Sequence, residues 1–318
     1  MPLCERLICS TSTKGQQMAS AEAEAMKALL MQFQEEVLGR DEEPTLEEMR
    51  LGGEGFGEMT AEPEGVSWHD ERVGGVDCKW AVPEGGSGDR VLQYVHGGGY
   101  VIGSTEAYRK FTGHLAATLG CRVLSVDYRL APEHPHPAAV DDSTAVYRAL
   151  LDDHSPQHLA IAGDSAGGGL TIATLMKLRD ENLPLPCAAV SLSPWVDLEG
   201  TGASMQTKAA VDLLVGADGL KLMAEMFLAG QDGHDPYASP LYGDLSGLCP
   251  LYLQVGGDET LLDDSTRLAA GAAAAGVEVR LDTFPEMQHV FQMAVGNVPE
   301  SGEAVARIGD WLRPRLGL

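Results

Sequence analysis

Apolar and polar positions alternate along this chain in two distinct ways. From Met18 to about Arg50 the sequence is rich in alanine, glutamate and leucine, and Met26, Leu29, Leu30, Phe33 and Val37 recur at helical spacing. That pattern predicts an amphipathic helical arm with one apolar face. Past the turn-rich GGEGFGE, two β-type runs, GVSWHDERV and VDCKWAVP, are joined by Gly74 and Gly75 and predict a hairpin. Short apolar runs then alternate with helical patterns. VLQYV precedes a helix near Ala107 to Thr118, and CRVLSVDY one near Ala138 to Leu151. HLAIA leads directly into another helix, CAAVSLSPW into a helical insert from about Ser204 to Ala229, and LYLQVGG into a helix near Asp264 to Ala275. VEVRLDTF and a last helix end the pattern. Strands alternating with helices predict an α/β fold, a mostly parallel sheet covered by helices on both faces.

One junction between strand and helix is unusually bare. In GDSAGGG, Gly163 to Gly169, a single serine stands among residues with almost no side chains, although glycine costs a helix about 1 kcal/mol relative to alanine. G-x-S-x-G is the pattern of a nucleophile elbow, a strained strand-to-helix turn that lifts the serine hydroxyl clear of the sheet. Ser165 is therefore the candidate nucleophile. The amide of Ala166 opens the following helix, where unpaired N–H groups and the macrodipole favour negative charge.

Acyl transfer at a serine also needs a base, a group to orient that base, and donors for the tetrahedral oxyanion. In parallel sheets these collect after the carboxyl ends of strands. After VLQYV comes HGGGY, where Gly97 and Gly98 are the expected oxyanion donors and His96 is expected to orient the loop. Beyond the last predicted strand, in FPEMQHVF, His289 is the candidate base. After LYLQVGG, the stretch DETLLDD offers Asp258, Glu259, Asp263 and Asp264. Asp258 is closest to the strand end and is the expected acid, with Glu259 its rival; Asp263 and Asp264 suit the start of the next helix. His134 and His136 in EHPHP lie between prolines and suggest a rigid turn, so no metal site is expected.

Charge narrows the function further. Asp plus Glu outnumber Lys plus Arg by 47 to 22, a formal charge of -25 that repels nucleic-acid phosphates and anionic membrane surfaces. No apolar run approaches the roughly 18 residues of a membrane span, and the first twenty residues lack the apolar core of a secretory signal. A soluble, cytoplasmic protein is expected, with its first residues a disordered tail and Met18 an alternative start. The six cysteines are scattered without a C-x-x-C, which predicts reduced thiols.

Together HGGGY, DYRLAPEHPHPAA, GDSAGG, SPWVDL, VGGDETLLDD and QHVF resemble the hormone-sensitive-lipase family of α/β-hydrolase esterases, from about Trp68 to Trp311. The resemblance implies an eight-stranded, mostly parallel sheet under a helical cap, hydrolysis of short- to medium-chain carboxylic esters, and no cofactor. It carries the nucleophile to Ser165, the acid to Asp258, the base to His289 and the oxyanion amides to Gly97, Gly98 and Ala166. Many relatives follow the acid with proline, where this chain has Glu259. Residues 1–60 would be tail and cap arm and 61–318 the catalytic domain, with a cap insert at about 200–232. Tyr100, Trp195 and Val290 are the expected substrate contacts. The partner is a small-molecule ester, and homodimers are expected. Amide or lactone hydrolysis by the same triad is an alternative reading; a receptor that binds without turnover is disfavoured, because such relatives lack the histidine that His289 supplies.

Overall fold

In the computed structural model, residues 7–11, 19–38 and 44–318 are described. In chain order the strands are β1 (Leu7–Thr11), β2 (Val66–Val73), β3 (Val76–Pro83), β4 (Ser87–Val95), β5 (Cys121–Val126), β6 (Leu159–Asp164), β7 (Ala188–Leu192), β8 (Leu251–Gly256) and β9 (Val279–Phe284). The helices are α1 (Ala21–Leu38), α2 (Leu46–Gly55), α3 (Arg109–Leu119), α4 (Ala138–Asp153), α5 (Ser165–Asp180), α6 (Ser204–Thr207), α7 (Ala217–Leu228), α8 (Leu262–Ala274) and α9 (Pro299–Leu312).

One sheet takes the order β1-β9-β8-β7-β6-β4-β5-β3-β2. β2 and β3 pair antiparallel through the Gly74–Gly75 turn, where both residues have positive φ, and β3 pairs antiparallel with β5; every other pair is parallel. The eight strands from β2 to β9 make the expected α/β-hydrolase sheet. β1 adds a ninth at the edge, running parallel to β9 with Leu7 opposite Val279 and Thr11 opposite Thr283. Part of the expected disordered tail is thus strand, because the open edge of β9 offers it hydrogen-bond partners. Met18 lies outside the described residues.

The central strands β6, β7 and β8 are buried along their whole length, as their near-continuous apolar runs require of strands covered on both faces. Chain order reverses at β4, which lies between β5 and β6. That reversal opens a crevice at the carboxyl ends of the strands, the usual ligand site of an open α/β sheet.

Two helical expectations change. The predicted arm is divided into α1 and α2, and on α1 Ala23 and Leu30 are buried and Met26 half-buried, whereas Leu29 is 59% exposed. Ala23 and Met26 dock with Phe284, Met287 and Phe291, and Leu30 continues this i, i+3, i+7 stripe, while Leu29 falls at its flank and faces outward. The side chains of Phe33 and Val37 lie outside the described residues. The insert is two helices separated by a non-helical stretch, Lys208 to Gly216. There the Asp212 carboxylate accepts the N–H groups of Leu214 and Val215 at 3.0 and 2.9 Å, giving the backbone an alternative to helical bonding.

Candidate active site

Ser165 has φ of +53°, the strained conformation expected of a nucleophile elbow. The bare surroundings have a steric cause. A Cβ on Gly163 would meet the carbonyl oxygens of Gly167 and Val95 at 2.3 and 2.5 Å, and one on Gly167 would meet those of Val95 and His96 at 2.1 and 2.4 Å. No side chain fits where β4 and the start of α5 approach so closely. Trp195 braces the turn by donating its N–H to the Ser165 carbonyl at 2.9 Å.

His289 Nε2 lies 2.9 Å from Ser165 Oγ, and His289 Nδ1 lies 2.9 Å from Glu259 Oε2. A carboxylate can only accept, so Nδ1 carries the proton and the bare Nε2 faces the serine hydroxyl. Burial lowers the His289 pKa, but the hydrogen bond and charge of Glu259, with the charges of Asp212 and Asp164, outweigh it and leave the value raised above 6.5. Burial raises the Glu259 pKa, opposed by its hydrogen bonds to His289 and Ser193.

The acid beside the imidazole is therefore Glu259, not Asp258. β8 ends at Gly256; Gly257 N–H then bonds the Phe284 carbonyl and Asp258 N–H that of Met287. That path turns the side chain of residue 259 inward, where Ser193 Oγ donates to Oε1 at 2.7 Å and the Gly256 amide donates to the same oxygen. Asp258 points out of the site, between Lys27 of α1 at 3.9 Å and Lys208 at 3.6 Å.

The glycine loop constrains the candidate oxyanion donors in a similar way. Asp164 is the N-cap residue of α5 but makes no capping bond. Its buried carboxylate accepts from Tyr94 Oη at 2.6 Å, Tyr108 Oη at 2.8 Å and the Gly97 amide at 3.0 Å. Gly97, expected as an oxyanion donor, is thus already committed. The amides of Gly98 and Gly99 have no hydrogen-bond partner among the described residues. Gly98, Gly99 and Tyr100 have positive φ in succession, 106°, 62° and 64°, curling the loop over the elbow. His96 does orient this loop. Burial lowers its pKa to about 4, so the neutral ring donates from Nδ1 to the Gly97 carbonyl at 2.7 Å while stacking on Tyr128. The diverted Asp164 leaves the first turn of α5, with Ala166, open to a developing anion.

A cavity of about 190 Å³ opens above Ser165. Phe56, Ile102, Leu214, Leu220, Met223 and Val290 supply much of its apolar wall. Val290 is thus where a substrate contact was expected. Tyr100 and Trp195 are not: both are buried beneath the loop, with Tyr100 stacked on Phe227 at 3.8 Å between ring centroids. Among the described residues no group of three or more His, Cys, Asp or Glu could hold a metal ion. His136 instead packs edge-on against Phe227 and lies 3.5 Å from Asp235. Sequence patterns did not reveal Ser193, Asp212 or the role of Asp164. Asp164 carried a signal in hindsight, an acidic N-cap whose partner had to be sought across the sheet.

A family model described as alpha/beta hydrolase fold matches residues 92–293. The chain is 43% identical over 265 residues to an acetyl-hydrolase of Streptomyces hygroscopicus, covering 83% of this chain and 87% of that one. It is 36% identical to an esterase of Acinetobacter venetianus, covering 71% and 75% respectively. Among solved structures, an esterase from the bacterial hormone-sensitive lipase family superposes with a TM-score of 0.89 at 41% identity, covering 95% of this chain and all of that one. The structure of EstE5 soaked with p-nitrophenyl butyrate superposes with a TM-score of 0.88 at 39% identity, covering 94% of this chain and all of that one.

Proposed function

This chain belongs to the hormone-sensitive-lipase family of α/β hydrolases and is a carboxylic ester hydrolase, and we propose that it cleaves short- to medium-chain esters through a Ser165–His289–Glu259 triad. The observation that carries this reading is the single imidazole held 2.9 Å from both the serine oxygen and the glutamate. His289 Nε2 takes the Ser165 proton as Oγ attacks the ester carbonyl carbon, and Glu259 holds the tautomer and stabilises the imidazolium. The carbonyl electron pair moves onto oxygen, which the amides of Gly98, Gly99 and Ala166 stabilise; each such donor contributes about 2.7–4 kcal/mol. Collapse expels the alkoxide, which takes the proton from His289 and leaves an acyl-serine. Water, deprotonated by the same nitrogen, then releases the acid.

The arm helices and the insert act as a cap over the catalytic sheet; α2 and α7 contribute Gly53, Leu220 and Met223 to the cavity wall. The protein works in the cytoplasm as a homodimer on small-molecule esters, without a cofactor. Among the described residues no helix is long and apolar enough to cross a membrane. The test compares p-nitrophenyl butyrate hydrolysis by the wild type and Ser165→Ala. The variant should lose about 10⁴-fold or more in kcat; equal rates would reject the nucleophile.

A further inference from the structure

A second, partly open apolar slot of about 30 Å³ lies beside the main cavity. Ala23, Met26 and Leu30 of α1, with Met59 and Phe291, form much of its wall. Two residues, Leu214 and His289, line both spaces. Leu214 is held firmly in place. Its N–H bonds Asp212 Oδ1, while Asp212 Oδ2 accepts from the Thr260 amide at 2.7 Å and the Thr260 hydroxyl at 2.9 Å, next to Glu259. From the other side Gln288, next to His289, accepts from Leu213 N–H at 2.8 Å and donates to the Val211 carbonyl at 2.9 Å. The segment carrying Leu214 is thus fastened to the chain immediately beside both the acid and the base.

We propose that Leu214 is a fixed partition that limits the length of the ester's alcohol group. The inference rests on the esterase mechanism above. The imidazole that reaches Ser165 must also protonate the leaving oxygen, so the alcohol leaves on the His289 side, where the slot lies. With Leu214 in place a linear alcohol stops at the partition, because the slot holds only a methylene or two. Shortening Leu214 joins the two spaces into one channel running beneath α1.

The experiment measures kcat/KM of the full chain on ethyl and hexyl butyrate, and on p-nitrophenyl acetate and octanoate. Leu214→Ala should raise the hexyl-to-ethyl ratio about tenfold, the scale on which a few methylenes are discriminated in an apolar pocket, and leave the acyl-chain ratio within about twofold. Leu214→Val, which disturbs the segment less, should move the ratio in the same direction. Adding Met26→Trp, which fills the slot from α1, should cancel the gain. An unchanged hexyl-to-ethyl ratio in both Leu214 variants, or equal movement of both ratios, would overturn the partition. A wild type that turns over none of the four esters would instead defeat the esterase mechanism itself.

Discussion

Glu259 and Asp258 are chain neighbours that differ by one methylene, yet one is fully buried against His289 and the other lies among lysines near the surface. Replacing Glu259 by Gln should lower kcat by about 10⁴-fold, the loss seen when a triad acid can no longer hold the imidazole tautomer. Asp258→Asn should stay within about threefold of wild type, and the reverse ranking would restore Asp258 as the acid. The same pair sets the pH profile. A raised His289 pKa keeps the imidazole protonated, and hence useless as a base, up to a higher pH. The acidic limb of kcat/KM should therefore lie above 6.5, the ordinary value for histidine. Glu259→Gln removes the main group opposing burial, so whatever activity remains should show that limb displaced to lower pH; an unmoved limb would mean that another group titrates.

Among the elements, α8 is joined to the loop after β7 by Asp264, whose Oδ1 accepts the N–H groups of Val196 and Asp197 at 2.9 and 3.0 Å. Its buried Oδ2 has no partner among the described residues. Burial, opposed by the Val196 amide and reinforced by the charge of Asp197, pushes this carboxyl up from 3.8 to about 7. Between those values the folded state holds a proton that the unfolded chain has lost, so stability falls as pH rises through the window. Asp264→Asn cannot ionise and should remove that slope. Its melting temperature relative to wild type should increase from pH 5 to pH 8, whereas a constant difference would show that Asp264 does not titrate there. The element pattern itself was largely legible in the chain: every expected strand run and the main helices are present. The insert was harder to read, because its Val211 to Gly216 stretch has apolar spacing compatible with a helix. A side-chain carboxylate bonding to local amides is what diverts it.

At the scale of the whole molecule, β1 covers an edge that β9 would otherwise present unpaired. Exposed strand edges invite pairing with other chains. Deleting residues 1–18 should therefore yield larger assemblies by light scattering than the full-length chain forms, and identical masses would show that β1 does not protect the edge. The same measurement reads the proposed homodimer as twice the chain mass. The charge of -25 spreads repulsion over the molecule and should oppose such association at low salt.

By itself the sequence determined the α/β architecture, because apolar periodicity dictates which segments can be strands or helices buried in a layered core. It also singled out Ser165 and His289 as candidates, since the elbow leaves no room for a side chain at Gly163 or Gly167 and a histidine after the last strand has few rivals. Choices between neighbouring residues were decided by the tertiary structure alone. Glu259 rather than Asp258 beside His289, and Gly99 rather than Gly97 with an amide free among the described residues, each depend on where a backbone turn aims one side chain or amide. A shift of one residue reverses that direction without altering composition or pattern, and partners distant in the chain, such as Met287 for Asp258 and Asp164 for Gly97, set it.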